Sequence, residues 1–322
     1  MSKSPDLLSA LELDRPAEVE RISEALRTLL SRRLRKRGLV VAVSGGIDSS
    51  VCAALAVGAV GAERVFALLM PERESSPEST ARGRLLCAHL ALPHQLVDLT
   101  PTLEAIGCYA ERDQALRATF PDYGPGWRQK LVIGGGLIGR YPQFKVVARS
   151  PDGFEHTRRL DSAAYLQLVA ATNFKQRVRK TLEYFHADRL NYAVVGTPNR
   201  LERDLGFFVR NGDGSADLEP IAHLYKTQVY ALARHLGLPD AICTAIPTTD
   251  TYSLPQGQDE FYFALPYPQM DVALWGFHHG VSAEDLARHL AIEARDAELI
   301  YDDLRAKRRV AEVLAAPPLR VA

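Results

Sequence analysis

The sequence predicts an α/β protein built on a doubly wound, mostly parallel sheet, with an inserted lid-like segment and a helical C-terminal tail. Three observations carry this. Short apolar runs at 39–43, 64–70, 94–99 and 191–197 read as strands, the first a continuous L-V-V-A-V of the kind buried on both faces. Segments of helical periodicity separate them, so the strands belong to right-handed crossover units of a parallel sheet. Between about 108 and 160 this alternation lapses into glycine- and proline-rich sequence, and 120–160 reads as an insertion in a single domain spanning 1–322.

The elements follow in chain order. Residues 17–37 place Val19, Ile22, Leu26, Leu29, Leu30 and Leu34 at helical spacing and end in a basic run before Gly38, a helix stop. That run reads as a solvated face. After the first strand a glycine turn leads into a helix at about 49–60, then the strand 64–70, a helix at 79–90 and the strand 94–99. Pro101 to Glu104 opens another helix. Inside the insertion, 145–149 and 154–158 flank Pro151-Asp152-Gly153 and read as a hairpin. A long helix is expected at 162–185, a strand at 191–197, a helix at 227–236 ended by Gly237, and a proline-rich loop at 245–268. The tail turns helical at Ser282, an N-cap with Asp285 three residues on.

Composition narrows the classes. Of 322 residues 47% are hydrophobic and 24% charged, which excludes wholesale disorder and leaves a chain long enough to bury a core without staples. Lysine plus arginine and aspartate plus glutamate both number 39, so no global field recruits nucleic acid or an anionic membrane. Cys52, Cys87, Cys108 and Cys243 lie far apart, spaced neither for zinc nor for a disulfide framework, and Cys52 reads as a small core residue. Acidic residues in the first thirty positions exclude a signal-peptide core, and no apolar run approaches the ~20 residues of a membrane span. The expectation is a cytoplasmic protein.

The chemistry concentrates in Ser44-Gly45-Gly46-Ile47-Asp48-Ser49-Ser50 after the first strand. A glycine pair there lets the backbone turn tightly and aim N–H groups at a ligand, and the helix that follows adds positive potential. Three serine hydroxyls complete an anion cradle. Asp48 repels an anion unless it holds a Mg²⁺ that bridges to phosphates; the bland reading is an N-capping aspartate.

This S-G-G-x-D-S loop resembles the pyrophosphate-binding loop of the ATP pyrophosphatase (adenine-nucleotide α-hydrolase-like) superfamily, and it lacks the lysine of a Walker loop. Such enzymes split ATP between its α- and β-phosphates and adenylate a substrate. Later segments resemble the NAD synthetase family in order. Gly196-Thr197-Pro198-Asn199-Arg200-Leu201-Glu202 is similar to its G-T-x-N-x-x-E, Asn211 to Pro220 to its G-D-G-x-x-D-L-x-P, and Leu224 to Val229 to its L-x-K-x-Q. Pro247-Thr248-Thr249-Asp250 is similar to P-T-A-D, Gln258-Asp259-Glu260 to the acidic run after it, Asn173 to Arg179 to N-x-x-A-R-x-R, and Lys307-Arg308-Arg309 to H-K-R. The resemblance covers about 20–119 and 161–310.

The resemblance implies an ammonia-dependent ligase that adenylates the nicotinate carboxyl of deamido-NAD with ATP and amidates it, releasing AMP and pyrophosphate. It implies ATP contacts from Ser44, Gly45, Gly46, Asp48, Ser49, Ser50, Thr197, Lys226 and Thr248, with Asp48 and Lys226 at the reacting phosphates. Asp48 and Glu202 would hold Mg²⁺, and Arg177, Arg210, Asp217 and Lys307 would meet the acceptor. A homodimer is implied too. The residues before the first strand are too few for a glutaminase, so ammonia comes free or from a separate protein.

Departures fall on the acceptor side. Ala245 stands where the family has a lysine, Arg210 replaces another lysine, Ala306 a histidine and Gln176 an alanine. A cation from the insertion (Arg128, Lys130 or Arg140) would cover for Ala245. Three alternatives stay open: an amide ligase for another carboxylic acid, another enzyme of the superfamily, and a non-catalytic nucleotide-binding protein. Two decoys are set aside. Gly134-Gly135-Gly136-Leu137-Ile138-Gly139 fits a dinucleotide fingerprint but meets Tyr141-Pro142 where a helix should open, and reads better as a hinge in a lid that orders over the acceptor site. His278-His279 has no third ligand spaced for a metal.

Overall fold

The computed structural model describes residues 9–134, 143–247, 252–254, 257 and 265–321. Strands β1 (Leu39–Ala42), β2 (Val65–Leu69), β3 (His94–Leu96) and β7 (Ala193–Val195) form a parallel sheet in the order β3-β2-β1-β7. In register, Leu39 faces Val65 on one side and Ala193 on the other. A second, antiparallel sheet joins β4 (Arg128–Gly134), β5 (Gln143–Arg149) and β6 (Glu155–Arg159).

Alternation along β1 explains the double winding. Leu39 and Val41 enter a core with α1 (Arg15–Thr28), α2 (Ile47–Val60) and α8 (Lys226–His235), through Ile22, Val51 and Val229. Val40 enters the opposite core with α4 (Thr100–Ala105), α5 (Cys108–Arg117) and α6 (Ser162–Leu190), through Leu103, Tyr109 and Ala187. Successive strand residues point to opposite faces, so each face needs its own helical cover.

The helical tail forms a third core. Helices α7 (Arg200–Leu205), α10 (Tyr267–His278), α11 (Ala283–Leu290) and α12 (Ala294–Ala315) close around Leu201, Met270, Leu286 and Leu304. Ser282 caps α11, its side chain accepting from Asp285 N–H at 3.1 Å, as the sequence predicts. The remaining helices are α3 (Pro77–His89) and α9 (Asp240–Cys243).

Several expectations change. The 108–160 stretch opens with α5, whose buried Cys108, Tyr109, Ala115 and Leu116 form a stripe of helical spacing. Helix α10 begins inside the expected proline-rich loop, because Pro268 falls in the first turn, where its missing N–H costs nothing. Helix α1 passes into a π-helical turn over Leu29–Leu34 that ends at Arg35, left-handed at φ 53°, rather than at Gly38. Gly38 serves a close approach instead: a Cβ there would stand 2.3 Å from the Arg64 carbonyl oxygen.

The predicted hairpin is β5–β6, with Lys145 opposite Arg159. Gly134 ends β4 opposite Gln143 in an antiparallel pair, which is not the parallel unit a dinucleotide fingerprint needs. The rest of that decoy, and Arg140, lie outside the described residues. A fourth core, with Leu116, Leu131, Val146, Leu168 and Tyr252, packs the insertion sheet against α5 and α6. All four cysteines are buried free thiols, Cys52 fully so. Among the described residues no helix is long and apolar enough to cross a membrane.

Candidate active site

The site grows from the end of β1. Gly45 turns the chain with φ 80°, and a Cβ there would meet the Ser79 carbonyl oxygen at 2.1 Å. Only glycine lets the loop lie this close to α3. Gly46 then caps α2. The serines brace the turn: Ser50 Oγ and Ser49 Oγ donate to the Gly46 carbonyl at 2.7 and 3.1 Å, and Gly46 N–H donates to Ser44 Oγ at 3.2 Å. Arg82 Nε donates to the Gly45 carbonyl at 3.1 Å. Ser50 is fully buried, so its hydroxyl shapes the loop from inside.

Asp48 does not cap α2, since Gly46 does. Its carboxylate leaves the first turn and takes two partners distant in sequence: Lys226 Nζ at 2.5 Å and Asn199 Nδ2 at 3.0 Å. Asn199 and Glu202 form a capping box on α7, which starts just beyond β7. Asn199 Oδ1 accepts from Glu202 N–H at 3.2 Å, and Glu202 Oε2 accepts from Asn199 N–H at 3.1 Å. The chain thereby turns Glu202 inward, and it is buried rather than on a surface face.

Electrostatics follow from burial. Glu202 is pushed up to about 8, first by desolvation and then by the Asp48 charge, with Lys226 acting against both. Lys226 is fully buried, which alone would lower it; Asp48 and Glu202 outweigh that and hold it above its ordinary range as an ammonium. Its position depends on a residue that sequence reasoning missed. Asp271, on α10, accepts Thr227 N–H at 2.7 Å and Lys226 N–H at 3.2 Å, satisfying the open end of α8. The Tyr267 ring lies 5.2 Å from Lys226 Nζ.

The structure therefore gathers Asp48, Asn199, Glu202 and Lys226 beside the loop 44–50, and half-buried Thr197 follows β7 on the same side. Thr248 lies outside the described residues. The acceptor-side set is looser. Arg177 Nε donates to the Arg210 carbonyl at 3.3 Å, so these two meet. Asp217 Oδ2 accepts Val194 N–H at 2.8 Å, and Lys307 pairs with Asp303 at 2.6 Å on its own helix. Ala245 is half-buried, its carbonyl accepting from Tyr230 at 3.4 Å. His278 pairs with Asp204 at 3.2 Å and His279 stacks on Trp275 at 4.0 Å, and neither joins a metal-binding cluster among the described residues.

A family model described as NAD synthase matches residues 18–119 and 147–310, most of the chain and every part of this site. The chain belongs to the NAD synthase family. The NH(3)-dependent NAD(+) synthetase of Rhizobium meliloti (strain 1021) is 53% identical over 309 residues, 96% of this chain and 92% of that protein. The protein of the same name from Thermotoga maritima is 35% identical over 254 residues, 78% of this chain and 84% of its own length. Among solved structures, an NH3-dependent NAD synthetase from Campylobacter jejuni aligns with a TM-score of 0.63 at 22% identity, over 96% of this chain and 100% of that one, and shows the shared fold. Between the two matched stretches, residues 120–146 hold β4 and the first part of β5.

Proposed function

We propose that the protein is an ATP-dependent amide ligase that converts deamido-NAD and ammonia to NAD, AMP and pyrophosphate. The observation that carries this is the meeting of Asp48, Glu202 and the buried Lys226 at the mouth of an anion loop without a Walker lysine. A carboxylate oxygen of the acceptor attacks the α-phosphorus of ATP, and the bond to the β-phosphate oxygen breaks. Ammonia then adds to the acyl carbon, loses a proton, and AMP leaves.

The loop 44–50 binds the departing pyrophosphate, and Lys226 offers its ammonium to the same charge. Thr197 and Thr248 line the ATP site. The donor set fits Mg²⁺. Burial and then the Asp48 charge raise the proton affinity of Glu202, a cost that a divalent cation removes, and with no third protein ligand among the described residues the phosphates and water complete the shell. Bound there, Mg²⁺ would neutralise charge on the leaving group. Arg177, whose side chain reaches the Arg210 backbone, and Arg210, whose guanidinium reaches the Ala316 carbonyl at 3.2 Å, are assigned to the anionic acceptor, with Asp217 and Lys307 assigned to the same substrate. The names of the relatives support deamido-NAD over another acid and support ammonia, free or passed from a separate glutaminase. A homodimer is the proposed working unit. Its setting is the cytoplasm, which the free thiols support.

The test is to incubate the protein with deamido-NAD, ATP, Mg²⁺ and ammonium and separate the products. NAD, AMP and pyrophosphate in equal amounts are expected. ADP as the main nucleotide product would refute the chemistry, and AMP release only with another acid would refute the acceptor.

A further inference from the structure

A cavity of about 920 Å³ lies on the far side of the anion loop from Glu202 and Lys226. Its near wall includes Ser79 and Arg82, the two α3 residues that press on Gly45. Its far wall includes Trp127 and Arg128 from the 120–160 segment and Ser253 from the chain beyond Pro247. Apart from Arg128, one of the cations that could cover for Ala245, no residue expected to bind ATP or the acceptor lines it.

Sheet order indicates what fits there. The lysine that attracts a polyphosphate and the carboxylates that would hold its Mg²⁺ come from α2, α7 and α8, on the β1–β7 half of the sheet. A nucleotide held at the loop by its phosphates has its other end free to run along the strand ends toward β2. The loop after β2 forms part of the cavity. Its volume is ample for a nucleoside.

The far wall is built to hold its place. Ser253 Oγ accepts Gln129 N–H at 2.7 Å, Leu254 N–H donates to the Gln129 carbonyl at 3.0 Å, and Arg128 Nε donates to the Ser253 carbonyl at 2.7 Å. Tyr252 is buried with Leu131 and Val146 in the insertion core. Trp127 is half-buried, with Tyr123 centred 5.6 Å and His156 6.1 Å from its ring. An indole in a cavity wall offers a stacking surface for a base.

We propose that Trp127 is the residue that contacts the nucleoside end of bound ATP, and that the latch between β4 and 252–254 positions it. This rests on ATP being the co-substrate. The chain has two tryptophans, Trp127 and Trp275, so Trp275→Phe leaves Trp127 as the sole emitter. Adding Mg²⁺–ATP without acceptor should change its emission, saturating near the KM for ATP. Trp127→Ala should raise that KM about tenfold with kcat little changed, as loss of base stacking does, and Trp127→Phe should restore most of it. Ser253→Ala, which removes the Oγ that accepts Gln129 N–H and keeps the indole, should raise the same KM and leave that for deamido-NAD unchanged. Silent emission together with an unchanged ATP KM in Trp127→Ala, while the wild type still makes NAD, overturns the proposal and leaves the function standing. An emission change in a protein that makes no NAD supports the proposal and sinks the acceptor assignment.

Discussion

Lys226 is a fully buried ammonium held by one short ion pair, so its stability and its chemistry depend on the same neighbour. Asp48→Asn keeps a polar group at that position and removes the compensating charge. Breaking a buried pair from one side costs about 3–5 kcal/mol, so a lowered melting temperature with an unchanged circular dichroism spectrum is expected. AMP formation should fall by orders of magnitude, and wild-type turnover of this variant with Mg²⁺ would remove the metal role from Asp48. Asp271 supplies a pH signature. Burial, opposed by the bonds from Thr227 and Lys226, raises it from 3.8 to about 6. Between those values the folded protein keeps a proton that the unfolded chain has released, so this carboxyl contributes less stability as pH rises through the window. Asp271→Asn carries no such titration. Urea unfolding at several pH values should show the stability difference moving in the variant's favour from about pH 4 to pH 6, and a parallel pair of curves would contradict the assignment.

At the scale of elements, α2 and α3 meet through Gly45. Gly45→Ala would drive a Cβ into the Ser79 carbonyl oxygen and strain a φ of 80°. Either helix must move, so ATP binding measured by calorimetry should weaken at least tenfold, roughly the 1–3 kcal/mol of local strain. Helix α6 links the two sides of the site. Lys175 on it holds Glu72 at 2.9 Å and Glu74 at 2.5 Å in the loop after β2, and two residues on stands Arg177. Arg177→Ala should raise the KM for deamido-NAD strongly and leave that for ATP near the wild-type value, because the Lys175 network stays intact. A rise confined to ATP would move Arg177 to the other substrate.

For the molecule as a whole, the site draws on both sheet halves and on the C-terminal helices, so ligand and fold are linked. On the proposed site, with Asp48 and Glu202 as the protein ligands, Mg²⁺ alone should shift the melting temperature little, and Mg²⁺ with ATP much more. Saturation at a hundredfold over Kd corresponds to about 2.7 kcal/mol. Equal shifts from Mg²⁺ with and without ATP would argue against a phosphate-completed site. Sedimentation equilibrium checks the dimer: a mass near twice 35.5 kDa is expected, and a monomer at micromolar concentration would refute it.

Local sequence determined the strands of the parallel sheet, because a run such as Leu39 to Val43 has no other way to leave water than burial on both faces, whereas β4 was not legible in it. It determined the anion loop too, since glycines, hydroxyls and an acid act within one turn, and Asn199 with Glu202, whose N-x-x-E spacing is a capping box in itself. It did not disclose α10 or the role of Asp271. That aspartate sits in a mostly apolar helix, and its partners are the backbone N–H groups of residues about 45 positions away, which no local pattern encodes. Nor did it show that Lys226 would lose all contact with water, or that Ser253 would latch to β4. Periodicity reports how each segment meets its own face of the core. Which segments then share a site depends on packing between distant elements, and only the tertiary structure decides that.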